Sequence, residues 1–212
     1  MRAIIPSVSI ESETTYEQLL RLIEKAGRVC YKSENLINGT ESAEKFIRGI
    51  ISRGHEAVLE HGTITVRVIC DRGVTHEIVR HRIGAYCQES TRYCNYSKDK
   101  FGNEITCIIP SQLIGHEEHE DYKKWGDMME ATEAYYMNLL SSGWTPQEAR
   151  AVLPNSLKTE IFMTYNIREW RHFLKLRTGA GAHPDMRLVA NQILKIFKVN
   201  YPLFFEDIEV TE

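Results

Sequence analysis

The sequence predicts an α+β fold: a single domain, residues 1–212, in which several α-helices pack a mostly antiparallel sheet. Three observations carry this expectation. The 212 residues, 42% hydrophobic and 26% charged, have the length and composition of one soluble globular domain with a real core. Thr63 to Asp71 alternates, with Ile64, Val66, Val68 and Cys70 on one face and Thr63, Thr65, Arg67 and Asp71 on the other, which marks a half-buried strand. Several other stretches repeat apolar residues at helical spacing.

Taken in order, Ala3-Ile4-Ile5 and Val8-Ser9-Ile10 read as one short strand interrupted at Pro6, a residue suited to a sheet edge. Leu19, Leu20, Ile23 and Ala26 form the stripe of a helix that starts at Thr15 and closes at Gly27. After a polar loop at Asn35, Asn38 and Gly39, Ala43, Phe46, Ile47, Ile50 and Ile51 form a second stripe ending at Gly54. The alternating strand leads into a helix from Arg72 that carries His76, Glu77, Arg80 and His81, with His76 and Arg80 one turn apart on one face. Glu104 to Pro110 reads as a strand. A long helix from His116 to Ser142 then turns Tyr122, Trp125, Met129, Thr132, Tyr136 and Leu139 or Leu140 inward. Its acidic start, Glu117 to Asp121, complements the positive end of the helix dipole.

Thr145-Pro146-Gln147-Glu148 has the cap, the first-turn proline and the capping-box glutamate of a helix start, and this helix carries Arg150 to Leu153-Pro154. Leu157 to Tyr165 is a strand. Asn166, with Glu169 three residues on, caps a helix that buries Trp170, Phe173 and Leu174 and leaves Arg168, Arg171 and Lys175 on its other sides. Gly179-Ala180-Gly181-Ala182 follows a helix rather than a strand, so it is a link and not a dinucleotide-binding loop. Pro184 opens the last helix, with Met186, Val189, Ala190, Ile193 and Phe197 inward, and Pro202 and an acidic tail follow.

The net charge of −3 argues against bulk attraction to nucleic acid, so any anion site is local. No apolar run approaches the ~20 residues of a membrane helix, and no secretory leader or membrane partner is expected. Five cysteines without a C-x-x-C pair read as free thiols of a cytoplasmic protein.

One stretch stands apart: Arg80-His81-Arg82, seven residues, then Ser90-Thr91-Arg92. Arginines cannot be neutralised and repel one another, so such a run suits either a solvated helix end or an anion. Phosphate is the anion whose oxygens match guanidinium forks in pairs. The RHR-x7-S-x-R pattern resembles the signature of the flavin-dependent thymidylate synthases, which methylate dUMP using reduced flavin and methylenetetrahydrofolate. The resemblance runs from Gly54 to Arg187. It takes in Gly-His-x-x-x-x-Glu-His (Gly54 to His61), the lead-in Asp71 to Val79, Tyr93 to Tyr96, and Glu-Ala-Arg-x-x-Leu-Pro (Glu148 to Pro154).

That resemblance implies site residues. It assigns FAD to His55, Ala57, Glu60, Arg80, His81, Arg82, Gln88, Asn166, Arg168 and His172. It assigns dUMP to Glu77, Arg80, Gln88, Ser90, Thr91, Arg92, Arg150 and Arg177, with Arg177 also the catalytic residue. It further implies NADPH as the reductant of the flavin, 5,10-methylenetetrahydrofolate as the carbon donor, and a homotetramer with active sites at subunit interfaces. Ala57 stands where the family often has a hydroxyl residue, Glu77 where some members have Gln, Gln88 where others have Glu, and His172 where Asn is familiar.

Three other readings compete with this one. His76-Glu77 followed by His81 is not the zinc motif H-E-x-x-H: a five-residue spacing turns the histidines roughly 140° apart on an ideal helix, so no metal is expected. Cys87 has arginines nearby that could activate it, but the family's reactive segment needs no cysteine, and it reads as incidental. The alternative function is a nucleotide- or RNA-binding module using Arg80 to Arg92 as a basic patch, which implies salt-sensitive binding and a colourless protein.

Overall fold

The computed structural model describes residues 1–209. In order, its elements are β1 (Arg2–Ile4), β2 (Ser7–Ile10), α1 (Tyr16–Val29), α2 (Gly39–Ser52), a 3-10 helix over Glu56–His61, β3 (Thr63–Asp71), α3 (Arg72–Ile78), β4 (Ala85–Gln88), β5 (Thr106–Ile108), α4 (Glu120–Ser141), α5 (Pro146–Ala149), β6 (Lys158–Asn166), α6 (Ile167–Arg177), α7 (Pro184–Asn200) and α8 (Pro202–Phe205). A four-stranded antiparallel sheet has the order β2-β3-β6-β4, and β1 pairs in parallel with β5, Ala3 opposite Cys107. The α+β class is as expected. The single interrupted strand is not: Pro6 separates two strands that belong to different sheets. The end of the acidic tail lies outside the described residues.

The chain forms two compact units. One comprises Met1–Ser7, Val68–Arg80 and Cys87–Ile161, and the other Val8–Arg67, His81–Tyr86 and the residues from Phe162 on. The first has a core of Tyr96, Ile105, Cys107, Met129, Tyr136, Ala149 and Leu157. Of the residues expected to face inward from α4, Met129 and Tyr136 are the buried ones. This helix starts at Glu120, later than expected, because the His119 imidazole accepts from the Asp121 amide (3.2 Å) and caps it there. Burial pushes the Cys107 thiol up to about 12, so it is an inert core thiol.

In the second unit, Thr15 and Gln18 close a reciprocal capping box on α1, whose Leu19, Leu20 and Ile23 are buried. Gly27 does not end this helix, which continues to Val29. A Cβ there would lie 2.4 Å from the Phe46 ring of α2, so the glycine admits a close approach of a side chain rather than a turn. On α6, Trp170 is fully buried, with ring centroids 4.6 Å from Tyr165 and 4.9 Å from Phe197, and its indole N–H donates to the Ile64 carbonyl (2.9 Å). Each such buried aromatic contributes about 2–3 kcal/mol of apolar transfer free energy, and together they hold α6 in a fixed place.

Arg171, expected off the buried side of α6, is itself buried. It is 1% exposed, and its guanidinium donates to Glu56 (3.0 Å), to both oxygens of Asp207 (2.7 Å each) and to the Phe204 carbonyl. A buried guanidinium is tolerated only with such complete pairing. The Arg171 bonds hold the Asp207 carboxyl below its ordinary value of 3.8. A depressed carboxylate contributes stability that is present above the ordinary value and lost as pH falls through the folded one. Replacing Arg171 with Leu is expected to cost about 3 kcal/mol, read as a lowered denaturation midpoint. The wild type should lose stability as it is acidified below pH 3.8 more steeply than Asp207→Asn.

Candidate functional site

The densest polar cluster of the second unit is built on α6. Asn166 caps the helix, its side chain accepting from the Glu169 amide (2.8 Å). Glu169 does not close a capping box in return. Its carboxylate turns instead to His81, Oε1 lying 3.1 Å from Nδ1. One helix length on, Arg177 Nε–H donates to His81 Nε2 (3.1 Å). A guanidinium has no lone pair to offer, so Nε2 must accept, and the ring proton sits on Nδ1 and is donated to Glu169. His81 is therefore neutral. Its burial pulls its pKa below the ordinary 6.5, opposed by the Glu169 hydrogen bond and reinforced by the Arg177 charge.

The backbone of the same segment is also tied down. Tyr86 donates its hydroxyl to the His81 carbonyl and lies 2.6 Å from the Tyr165 hydroxyl. Burial raises the pKa of both phenols, so both keep their protons, and Tyr165 donates to Tyr86. These bonds explain why α3 stops at Ile78 instead of running on through His81. One more helical turn is worth a few tenths of a kcal/mol per residue, whereas each tertiary hydrogen bond is worth about 1. The ideal-helix premise used to separate His76 from His81 therefore does not hold. Among the described residues, His81, Glu169 and His172 each bring a potential ligand atom within 4.8 Å of the others, but both His81 nitrogens already have hydrogen-bond partners.

Beside this cluster lies a cleft of about 600 Å³ lined by Glu56, Glu60, Ile83, Asn166, Arg168, Glu169, Arg171, His172 and Lys175. Four of these, Glu60, Asn166, Arg168 and His172, carry a ligand assignment from the sequence resemblance. Arg168 and Glu60 pair at 2.6 Å on the surface. His55 and Ala57 are exposed at the 3-10 helix that supplies Glu60, and Arg82 is exposed next to His81.

In the first unit, Gln88 donates both amide hydrogens, to Thr75 (3.0 Å) and Thr159 (3.1 Å), which are buried hydroxyls. Its amide oxygen is the group left to face other partners. Arg150 donates to the buried Thr91 hydroxyl (3.3 Å), and Ser90 accepts from the Arg92 amide (3.2 Å), so Ser90, Thr91, Arg92 and Arg150 form one locally ordered group. Glu89, next to Ser90, is held by Lys158 (2.7 Å) and Tyr96 (3.1 Å). Glu77 is half-buried at the end of α3, and Arg80 is exposed. Cys87 is an exposed free thiol.

Sequence reasoning missed Glu169, Glu56, Arg171, Tyr86, Tyr165, Thr75 and Thr159. A glutamate three residues after an N-cap signals a capping box, and nothing local reveals that its carboxylate is used by a histidine 88 residues away. The two tyrosines carried a faint signal, since a phenol on a buried strand needs a partner.

Cationic side chains and carboxylates held together around a cleft of ligand size make this an α+β protein with a candidate ligand site. The family model for thymidylate synthase complementing protein matches residues 13–203. The flavin-dependent thymidylate synthase of Pyrococcus furiosus is 37% identical over 153 residues, 72% of this chain and 61% of that protein. The flavin-dependent thymidylate synthase of Corynebacterium glutamicum is 31% identical over 220 residues, 97% of this chain and 86% of that protein. In fold, the chain resembles the UMP/dUMP methylase PolB from Streptomyces cacaoi, solved with 5-Br dUMP bound, with a TM-score of 0.78 over 97% of this chain and 96% of that one at 22% identity. The chain belongs to the thymidylate synthase complementing protein family, that of the flavin-dependent thymidylate synthases, and so stands among the methyltransferases.

A Cβ on Gly84 would lie 2.3 Å from the Tyr165 ring, which cannot yield because Tyr86, Trp170 and Phe173 surround it. Gly84→Ala is therefore expected to cost about 1–3 kcal/mol in chemical denaturation and to disturb the segment that presents His81.

Proposed function

We propose that the protein converts dUMP to dTMP, taking the one-carbon unit from 5,10-methylenetetrahydrofolate and the hydride from FAD that NADPH has reduced. The 212 residues act as one catalytic domain, in the cytoplasm. The homotetramer implied by the resemblance has active sites at subunit interfaces, so residues of one site need not come from one copy.

The observation that carries this reading is Arg177, whose guanidinium is tied to a neutral imidazole at the end of α6. For a methyl group to be built at C5, the uracil ring must become nucleophilic there, and negative charge then develops over N3, C4 and O4. A guanidinium already held in position stabilises that charge without reorganising when it forms. Arg177 is the catalytic residue in this sense. Ser90, Arg92 and Arg150, with Thr91 fixing Arg150, supply donors for the 5′-phosphate. Glu77, Arg80 and Gln88 complete the nucleotide contacts.

FAD fits the donor set of the α6 cleft. Arg168 and Lys175 offer cations for a diphosphate, Asn166 and His172 offer polar groups for a neutral ring, and about 600 Å³ lies within the range of cofactor clefts. His55, Ala57, Glu60, Arg80, His81, Arg82 and Gln88 join them in holding it. When bound, FAD supplies the hydride, and the chain binds, orients and shields the reactants.

Purified protein, or protein supplied with FAD, should show flavin absorbance and release tritium from C5-labelled dUMP. Arg177→Ala is expected to lose about a hundredfold in kcat, on the order of 3 kcal/mol, while retaining the flavin band. A protein that takes up no FAD, or an Arg177→Ala variant with wild-type tritium release, would overturn the assignment.

A further inference from the structure

The bonds around His81 impose a direction. Glu169 accepts from Nδ1–H, which leaves Nε2 with a lone pair, and that lone pair receives Arg177 Nε–H. If the ring proton moved to Nε2, or if the ring gained a second proton, two N–H groups would face one another and the Arg177 bond would be lost. We propose that Glu169 is a positioning residue that acts through His81, fixing the imidazole tautomer so that Arg177 is aimed at the uracil ring. This rests on the function proposed above.

Burial supports the assignment. Glu169 is 8% exposed and His81 6%, so water competes poorly for either bond. The charged and titratable groups that face His81 are Glu169, His172 and Arg177 from α6, and the Tyr165 and Tyr86 phenols from β6 and β4. Of these, the Glu169 carboxylate is the group that favours a protonated ring, while Arg177 and His172 disfavour it. Catalysis by Arg177 should therefore fail as pH falls through the His81 value, which lies below 6.5, and the kcat profile acquires an acid limb there.

Removing the carboxylate has two opposed consequences. The tautomer is no longer fixed, so kcat on the plateau falls. The protonated ring also loses its counter-charge, so the acid limb moves to lower pH. A residue that only supports the fold would lower activity without moving that limb. Glu169→Gln keeps an oxygen able to accept from Nδ1–H, so it should lose less kcat than Glu169→Leu, which keeps none.

The experiment measures tritium release from C5-labelled dUMP against pH, at saturating FAD, NADPH and 5,10-methylenetetrahydrofolate, for wild type and both variants. Flavin absorbance and circular dichroism serve as checks on folding. The expected result is a plateau loss of about tenfold in kcat for Glu169→Leu, or about 1.4 kcal/mol, a smaller loss for Glu169→Gln, little change in the KM for dUMP, and an acid limb displaced downward in both. If Glu169→Leu does not fold, Glu169→Gln alone decides through its acid limb. An active wild type whose folded variants keep its acid limb overturns the positioning role. A flavin-loaded wild type that releases no tritium at any pH overturns the proposed function itself.

Discussion

His81 can hold Arg177 only while it is neutral and protonated on Nδ1, and much of the second unit is arranged to keep it so. The Tyr86 hydroxyl grips its carbonyl, Glu169 takes its proton, and Phe173 packs edge-on to its ring at 4.9 Å between centroids. Behind them, Trp170 and Phe197 hold α6 in place. The side chain in the middle of the RHR triplet is therefore turned into the protein, while its two arginine neighbours remain exposed. Three residues that look alike in charge thus have two different fates, and burial separates them.

Much of the fold was legible because its signals are local. The alternation of Thr63 to Asp71 became β3, with Ile64, Val66, Val68 and Cys70 all fully buried. Thr145 and Glu148 close their capping box as the spelling requires, and Asn166 caps α6. The failures come from long-range partners. Arg171 reads as lying off the buried side of α6 because its two carboxylates, Glu56 and Asp207, are 115 and 36 residues away. The end of α3 differs because the competing bonds come from Tyr86, five residues beyond His81, which is in turn held by the distant Tyr165. For the site, the family's pattern pointed to His81, Arg168, His172 and Arg177, whereas the carboxylate that organises His81 has no local mark at all.

Charge is balanced differently at the two polar groups. In the α6 cleft, Glu60 and Glu56 pair with Arg168 and Arg171, so two of the cations arrive already compensated. The Ser90 to Arg92 segment has a different arrangement: its adjacent carboxylate, Glu89, is drawn onto Lys158 and Tyr96. Pairing that carboxylate with an ammonium 2.7 Å away lowers the negative potential beside Ser90 and Arg92. The overall charge of −3 is thus compatible with local anion binding.

The Arg171 knot joins distant parts of the sequence, from Glu56 at the 3-10 helix through α6 to Phe204 and Asp207 after α7. A ribosome releases Asp207 last of these, so the guanidinium stays half-satisfied until residue 207 has emerged. A nascent chain cut short before residue 207 would thereby retain an interior cation without its bidentate partner.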